Sequence, residues 1–332
     1  MKVLVTGATG FLGGALTKAL VDQGHDVRVM ARMTSKVDAL QDLPVEIRYG
    51  CLESSSCLDG LLDGVEIIYN CAAATADWGR WQAFYDANVL GVKNLMEASV
   101  RDRALTRIVH LSSTCVYGYP TRVCDESQPI KDIGLPFNRS KVEGERILWD
   151  YIRQGLPITI LRPSNLFGPR SASVIDWANQ LIHDELMWID GGKSAAGLMY
   201  VGNAVDAIIK ASQSPATLGQ AYNLRDESRE NWREFGVALA SGLGTGVPTL
   251  NLPNQVVTVL MYVFEIFYRM LRTEKRPVVT RQQVFQFSRD QAYPIEKAQR
   301  DFGFHSRVSF SEGMQETVRW LKSEEGKVFL GA

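Results

Sequence analysis

The sequence predicts a doubly wound α/β fold: a parallel sheet covered by helices on both faces. Three observations carry this reading. Short β-branched runs recur through the first half, helix-length amphipathic segments separate most of them, and a glycine-rich turn follows the first run. Strand, helix, strand in repetition demands parallel pairing with right-handed crossovers, and ligands of such sheets bind beyond the C-terminal strand ends.

The strand candidates are Val3–Val5, Val27–Met30, Val45–Tyr49, Val65–Tyr69, Ile108–Leu111 and Ile158–Leu161. After Gly13, the residues Ala15, Leu16, Ala19 and Leu20 share one helical face, and Gly24 suits the helix end. Leu90–Val100 and Lys141–Arg153 carry similar faces. From about Gly168 the rhythm weakens: Trp177–Trp188 reads as an isolated helix, Met199–Asn203 precedes another, and Ala221–Leu224 is a further strand. Residues 1–168, with 198–225 returning to them, are therefore expected to form the sheet domain. Residues 169–197 and 226–332 would form a smaller, mostly helical C-terminal cap. No repeat, low-complexity tract or flexible linker separates the two, so the cleft between them is the expected site.

Composition narrows the function. With 332 residues, 45% of them apolar, and 36 Lys+Arg against 37 Asp+Glu, the chain lacks the basic footprint of a nucleic-acid binder. Five cysteines (Cys51, Cys57, Cys71, Cys115 and Cys124) form no C-x-x-C pair and read as reduced, buried thiols, so neither a disulfide nor a zinc site is expected. His25, His110, His183 and His305 have no metal-ligand spacing, and no metal site is expected elsewhere. The first residues run straight into a strand and a glycine turn without a signal-like apolar region, which predicts a cytoplasmic protein.

Gly7-Ala8-Thr9-Gly10-Phe11-Leu12-Gly13-Gly14 lies between the first strand and the first helix. Glycines there let the backbone approach a pyrophosphate, and the helix N-terminus offers it free N–H groups and positive dipole. Gly7, Thr9, Gly10, Phe11, Leu12 and Gly13 are thus candidate dinucleotide contacts in a Rossmann sheet; a tight turn without a ligand is the plain alternative. At the end of the second strand, where an acid would hold the ribose of NAD, stand Ala31-Arg32. Arg32, helped by Ser35 or Lys36, would pair with a 2′-phosphate, favouring NADP(H) over NAD(H), unless it is simply a solvated arginine.

Further motifs follow in order: Cys71-Ala72-Ala73-Ala74, Asn88 in Tyr85-Asp86-Ala87-Asn88-Val89-Leu90-Gly91, Leu111-Ser112-Ser113-Thr114-Cys115-Val116-Tyr117-Gly118, and Leu161-Arg162-Pro163-Ser164-Asn165-Leu166-Phe167-Gly168-Pro169. With the glycine turn they resemble the extended short-chain dehydrogenase/reductases. The resemblance continues through Asp77-Trp78-Gly79, Tyr200–Ala207, Arg276–Arg281, Lys297-Ala298 and Glu312-Gly313, covering nearly the whole chain. It looks like the 3β-hydroxysteroid dehydrogenase-like branch of the NAD(P)-dependent epimerase/dehydratase proteins.

The resemblance implies a catalytic trio of Ser113, a tyrosine four residues before a lysine, and that lysine. Lys141 stands in Pro136-Phe137-Asn138-Arg139-Ser140-Lys141, but Phe137 occupies the tyrosine position. The i, i+4 spacing keeps both residues on one helix face while the hydroxyl is absent. In the family a tyrosinate moves the alcohol's proton as hydride passes to the nicotinamide, and losing such a group costs about 10²–10⁴ in rate. Three readings stay open: an inactivating change; proton transfer by Ser113, a water or one of Tyr85, Tyr117 and Tyr200; or an acid elsewhere. Ser113 has the plain alternative of satisfying a turn.

The resemblance also implies cofactor contacts from Ala72, Ala73, Ala74, Asn88, Lys141, Pro163 and Asn165, with Asn165 also reaching substrate. Gly50-Cys51-Leu52 lacks the aspartate relatives often use for adenine, which leaves backbone contact at Leu52. Asn88, mid-helix, reads as part of a hydrogen-bond or water network beside Lys141.

Residues 254–272 are apolar but interrupted by Glu265 and Arg269, and Arg272, Lys275 and Arg276 follow. A membrane span needs about 20 predominantly apolar residues, so a buried or pocket-lining helix is expected, with peripheral membrane contact as the alternative. If it lines the cleft with Trp177, Trp188 and Met199, the substrate is large and apolar: a sterol, terpenoid or long-chain 3-keto compound. The expected function is an NAD(P)-dependent oxidoreductase interconverting a secondary alcohol and a ketone on a small hydrophobic molecule. Alternatives are a nucleotide-sugar epimerase or dehydratase, and a catalytically silent NADP-binding sensor or scaffold. A homodimer through helices around 88–100 and 137–152 is implied by the resemblance.

Overall fold

Aliphatic runs without central charges bury both faces of a strand, and in this chain they form the middle of one sheet. The computed structural model describes residues 1–331 except Arg103, Val123, 271–275 and Val278, with no side chain at Phe267 or Arg269. The strands are β1 (Lys2–Thr6), β2 (Asp26–Ala31), β3 (Val45–Tyr49), β4 (Ile67–Asn70), β5 (Arg107–Leu111), β6 (Ile158–Pro163), β7 (Asn165–Phe167), β8 (Trp188–Ile189), β9 (Leu198–Tyr200), β10 (Ala221–Leu224) and β11 (Asn251–Leu252). Seven of them pair in parallel in the order β10-β6-β5-β4-β1-β2-β3, and chain order reverses between β1 and β4. This is the doubly wound Rossmann-type sheet the sequence predicts, with its crevice at the ends of β1 and β4.

Side chains alternate across the sheet. Val3, Val5, Val27, Val29 and Val109 pack with Leu16 and Leu20 of helix Phe11–Asp22 and with Ile208 of helix Val201–Gln213. On the other face Leu4, Ile68, Ile108 and Ile160 meet Leu95 and Met96 of helix Gly91–Ser99 and Leu148 of helix Pro136–Arg153. Each such side chain, fully buried, contributes roughly 1.5–3 kcal/mol.

Several boundaries differ from the sequence reading. The fourth strand begins at Ile67, because the Val65 N–H closes a turn onto the Leu62 carbonyl. Trp177–Trp188 is not one helix: helix Ala172–Ile182 stops before Asp184, whose φ of 56° is left-handed, and Trp188 lies in β8, paired with β11. Ile295, Ala298 and Phe304, assigned to the cap by sequence, join the core of the sheet. Trp177, Trp188 and Met199 do not line a cleft. Trp177 and Trp188 are cap core beside Trp232 and Phe235, and Met199 is fully buried in the sheet core. Of the five free cysteines only Cys115 is buried.

Helix Asn254–Met270 is one-sided rather than buried. Val257 and Met261 pack on Ile189 and Val284, and Glu265 turns inward to Arg281 at 2.8 Å. Val259, Tyr262, Val263 and Ile266 are exposed. Among the described residues no helix is long and apolar enough to cross a membrane. Leu271, Arg272, Lys275 and Val278 of the motifs above lie outside the described residues.

Candidate active site

The cofactor end is built from backbone. Gly7 adopts φ 70°, and a Cβ there would lie 2.8 Å from the Ala72 nitrogen; a Cβ on Gly13 would lie 2.2 Å from the Gly7 carbonyl oxygen. Only glycine fits either position. Helix Phe11–Asp22 has neither a side-chain N-cap nor an acid in its first turn, so the N–H groups of Phe11, Leu12 and Gly13 await an acceptor. The side chains of Phe11 and Leu12 pack toward the cap core, which leaves their backbone to face a phosphate.

Gly7, Thr9, Gly10, Arg32 and Ser35 line one cavity of about 230 Å³, and Leu52, Ala72 and Ala73 border it too. Lys36 does not, and Glu53, unremarked in the sequence, does. Arg32 is exposed and, among the described residues, forms no ion pair. A larger open depression of about 960 Å³ beside Ser55, Asp63 and Glu97 contains none of the motif residues. The glycine cradle, open helix N-terminus and exposed Arg32 fit a nicotinamide dinucleotide. Just beyond β5 and β6, outside that cavity lining, the buried hydroxyls of Ser112 and Ser164 have no hydrogen-bond partner among the described residues.

Beneath the cradle, polar side chains tie neighbouring strand ends together. Thr6 donates to Asn70 at 2.6 Å and accepts from the Ala72 N–H, and Asn70 meets His110 at 3.0 Å. Burial, with Lys141 nearby, holds His110 well below the ordinary imidazole range, so it is neutral and structural. Asn88 sits in a π-helical turn, Asp86–Leu90, that continues from the preceding helix. Its amide exchanges two hydrogen bonds with the Ala74 backbone, at 2.8 and 2.9 Å, and donates to Ser140 at 2.8 Å. Asn88 thus clamps the Ala72–Ala74 loop onto the lysine-bearing helix, a structural reason for an asparagine mid-helix.

At the corner that holds the candidate catalytic residues, Ser113 caps the 3₁₀ turn Thr114–Tyr117: its Oγ accepts the Cys115 N–H at 3.1 Å. Lys141 is buried, and its Nζ donates to the Leu111 carbonyl at 2.8 Å. Desolvation lowers its pKa to about 8. Phe137, one turn earlier, packs half-buried with Cys115, Tyr119 and Leu135. Asn138 locks the corner by donating to the Cys115 and Lys131 carbonyls and accepting the Ile133 N–H.

One turn beyond Lys141, Glu145 is fully buried and grips Arg162 through both carboxylate oxygens, at 2.6 and 2.9 Å. Arg162 donates to the Tyr117 hydroxyl, which donates to Asn223, both at 2.8 Å. Sequence reading missed this network, although Lys141 and Glu145 share a helix face. It also commits Tyr117 to structure. Tyr200 is similarly held by Glu316, and Tyr85 packs against Trp81 outside the Phe137 cluster.

The cap reaches the site at two points. Arg276 forms a two-pronged pair with Asp77, at 2.7 and 2.8 Å, and Thr280 adds a hydrogen bond at 3.0 Å, joining two motifs 199 residues apart. Pro163 ends β6 beside Leu224. Asn165 donates to the Ala196 carbonyl and accepts from Gln286, both at 2.6 Å, so its amide is spent on the cap rather than turned to the dinucleotide cavity.

Comparison with known proteins agrees with this architecture. Over 318 residues the chain is 27% identical to a 4-hydroxy-2-methyl-3-oxo-4-farnesyl-3,4-dihydroquinoline-1-oxide ketoreductase of Stigmatella aurantiaca, covering 95% of each. It is 27% identical to a 2-alkyl-3-oxoalkanoate reductase of Stenotrophomonas maltophilia, over 95% of this chain and 98% of that one. The crystal structure of a UDP-glucuronic acid 4-epimerase from Bacillus cereus in complex with NAD shares the fold at TM-score 0.77 and 20% identity, covering 97% of this chain and 99% of that one. Residues 3–224 match the NAD dependent epimerase/dehydratase family. The chain belongs to that family.

Proposed function

We propose that the chain is a ketone reductase that uses a nicotinamide dinucleotide, NADP(H) in preference to NAD(H), on an apolar substrate. The observation that carries this reading is the junction at Lys141. A buried ammonium, anchored on the Leu111 carbonyl beside Ser113, borders a corner closed by Phe137, Cys115, Tyr119, Leu135 and Phe285. Such walls suit an apolar ketone and offer little to a sugar diphosphate. The ketoreductase and 3-oxoalkanoate reductase relatives support the same substrate class.

A bound nicotinamide dinucleotide supplies the hydride that a carbonyl carbon receives. The chain's own groups do the rest. Backbone N–H groups of Phe11, Leu12 and Gly13 hold the pyrophosphate, Arg32 and Ser35 take the 2′-phosphate, and Leu52 borders the adenine. Lys141 binds the nicotinamide ribose. Ser113 already accepts the Cys115 N–H, so its hydroxyl proton is free to be donated to the substrate oxygen. A silent dinucleotide-binding protein is the second reading, favoured by Phe137 alone.

The test is NADPH oxidation over a panel of hydrophobic ketones, including 3-keto esters, by the wild type and Phe137→Tyr, with UDP-sugars assayed in parallel. Ketone-dependent oxidation by either form is the expected result. Silence in both despite tight NADPH binding overturns the reading in favour of the sensor, and UDP-sugar epimerisation overturns it in favour of the epimerase.

A further inference from the structure

We propose that Tyr119 supplies the proton that Phe137 cannot, acting as the general acid toward the carbonyl oxygen; the proposal rests on the ketone reductase reading. The buried tyrosines are distinguished by what their hydroxyls do. Tyr69 is bonded to Ser212, Tyr117 to Arg162 and Asn223, Tyr200 to Glu316, Tyr222 to Asp301 and Tyr293 to Gln291. Among the described residues Tyr119 is the buried tyrosine whose hydroxyl forms no hydrogen bond, and its oxygen is not among the unpartnered atoms sealed from solvent. A phenol kept dry on its ring and unpaired at its oxygen is available to a ligand.

Its position is the second observation. Tyr119 belongs to the same side-chain cluster as Phe137 and Cys115, at the end of the turn that Ser113 caps. The backbone there is strained: φ is 51°, a left-handed conformation that costs a bulky residue about 1–2 kcal/mol. Surrounding contacts hold it in place. Arg289 donates to the Tyr119 carbonyl and lies 4.1 Å over the Phe285 ring, and that ring meets Tyr119 at 6.4 Å. The clamp fixes the backbone at Tyr119 and sets its ring beside Phe285, within the cluster that Phe137 packs against.

The surroundings also keep the phenol protonated. Burial, then Cys115, Tyr293 and Asp77, holds its pKa above the ordinary tyrosine range, so at neutral pH it carries the proton a reduction consumes. In the step, the carbonyl carbon takes a hydride from the reduced dinucleotide and its oxygen takes the Tyr119 proton as the phenolic O–H bond breaks. The products are a secondary alcohol and the oxidised dinucleotide, and water returns a proton to the phenolate.

Tyr119→Phe, Phe137→Tyr and the double variant test this, with three readouts: kcat on a turned-over ketone, NADPH affinity, and ketone affinity for the NADP⁺-loaded protein by fluorescence. For Tyr119→Phe the expected loss in kcat is about 10²–10⁴-fold. NADPH affinity should stay within about twofold and ketone affinity should fall about 5–10-fold, the weight of one hydrogen bond. Phe137→Tyr added to Tyr119→Phe should restore turnover. Unchanged kcat in Tyr119→Phe overturns the proposal, and so does a parallel loss of NADPH affinity, which marks a structural role. Silence of the wild type beside an active Phe137→Tyr overturns it while sustaining the reductase reading. Silence of every form with NADPH bound overturns that reading itself.

Discussion

The two ends of the site are built from different materials. The cofactor end is backbone: a left-handed glycine, a glycine with no room for a Cβ, and an uncapped helix N-terminus. The end proposed to be catalytic is side chain: Ser113, Lys141, Phe137 and Tyr119 stand in a corner braced by Asn138, Glu145 and Arg289. A backbone-built site tolerates change at most neighbouring side chains and almost none at its glycines. A side-chain-built site can exchange one hydroxyl for another while the fold stands, and Phe137 beside an unpaired Tyr119 fits that pattern.

The contrast can be broken most forcefully beneath the catalytic end. Glu145→Ala should leave the buried Arg162 without its partner and cost about 3–5 kcal/mol in urea unfolding. A loss below 1 kcal/mol would mean that the network does not support the corner.

Lys141 provides a pH signature. Its pKa in the folded chain, about 8, lies below its ordinary 10.5, so between those values the unfolded chain binds more protons and this lysine makes stability rise with pH. Lys141→Met removes that dependence. The variant's stability relative to wild type should therefore be highest below pH 8 and fall by about 3 kcal/mol by pH 10.5. A pH-independent difference would show that the ammonium is not desolvated.

At the cofactor end, Gly13→Ala should destabilise the chain by about 1–3 kcal/mol, because the new methyl group meets the Gly7 carbonyl. It should also abolish NADPH binding in a fluorescence titration; retained binding would show that the turn is not the cradle. The smallest effect is the sharpest in specificity. Arg32→Ala should weaken NADPH binding about tenfold and leave NADH binding unchanged, whereas equal losses for both would remove the arginine from 2′-phosphate recognition.

The same contrast explains what was legible in the sequence. Backbone-built features are local: the Val3–Val5 strand, the glycine spacing and the face through Leu16 and Leu20 lie within twenty residues, and periodicity exposes them. The side-chain-built end joins distant positions. Asp77 meets Arg276, Glu145 meets Arg162 and Asn165 meets Gln286, pairs that no spacing rule connects. Motifs mark Lys141 and Ser113 as candidates, whereas no motif marks Tyr119, because an unpaired hydroxyl is a property of the folded surroundings. Trp177–Trp188 misled for the opposite reason: its apolar content suits a helix, and the left-handed turn at Asp184 carries no glycine to announce it.

The most direct test of the central claim is isotopic. NADPH deuterated at the transferred position of the nicotinamide is incubated with the wild-type protein and a hydrophobic 3-keto ester, and the product is read by NMR. Deuterium on the carbinol carbon of a secondary alcohol, formed in step with NADP⁺, is the predicted result. Unchanged ketone and unoxidised cofactor, with NADPH bound throughout, would contradict it.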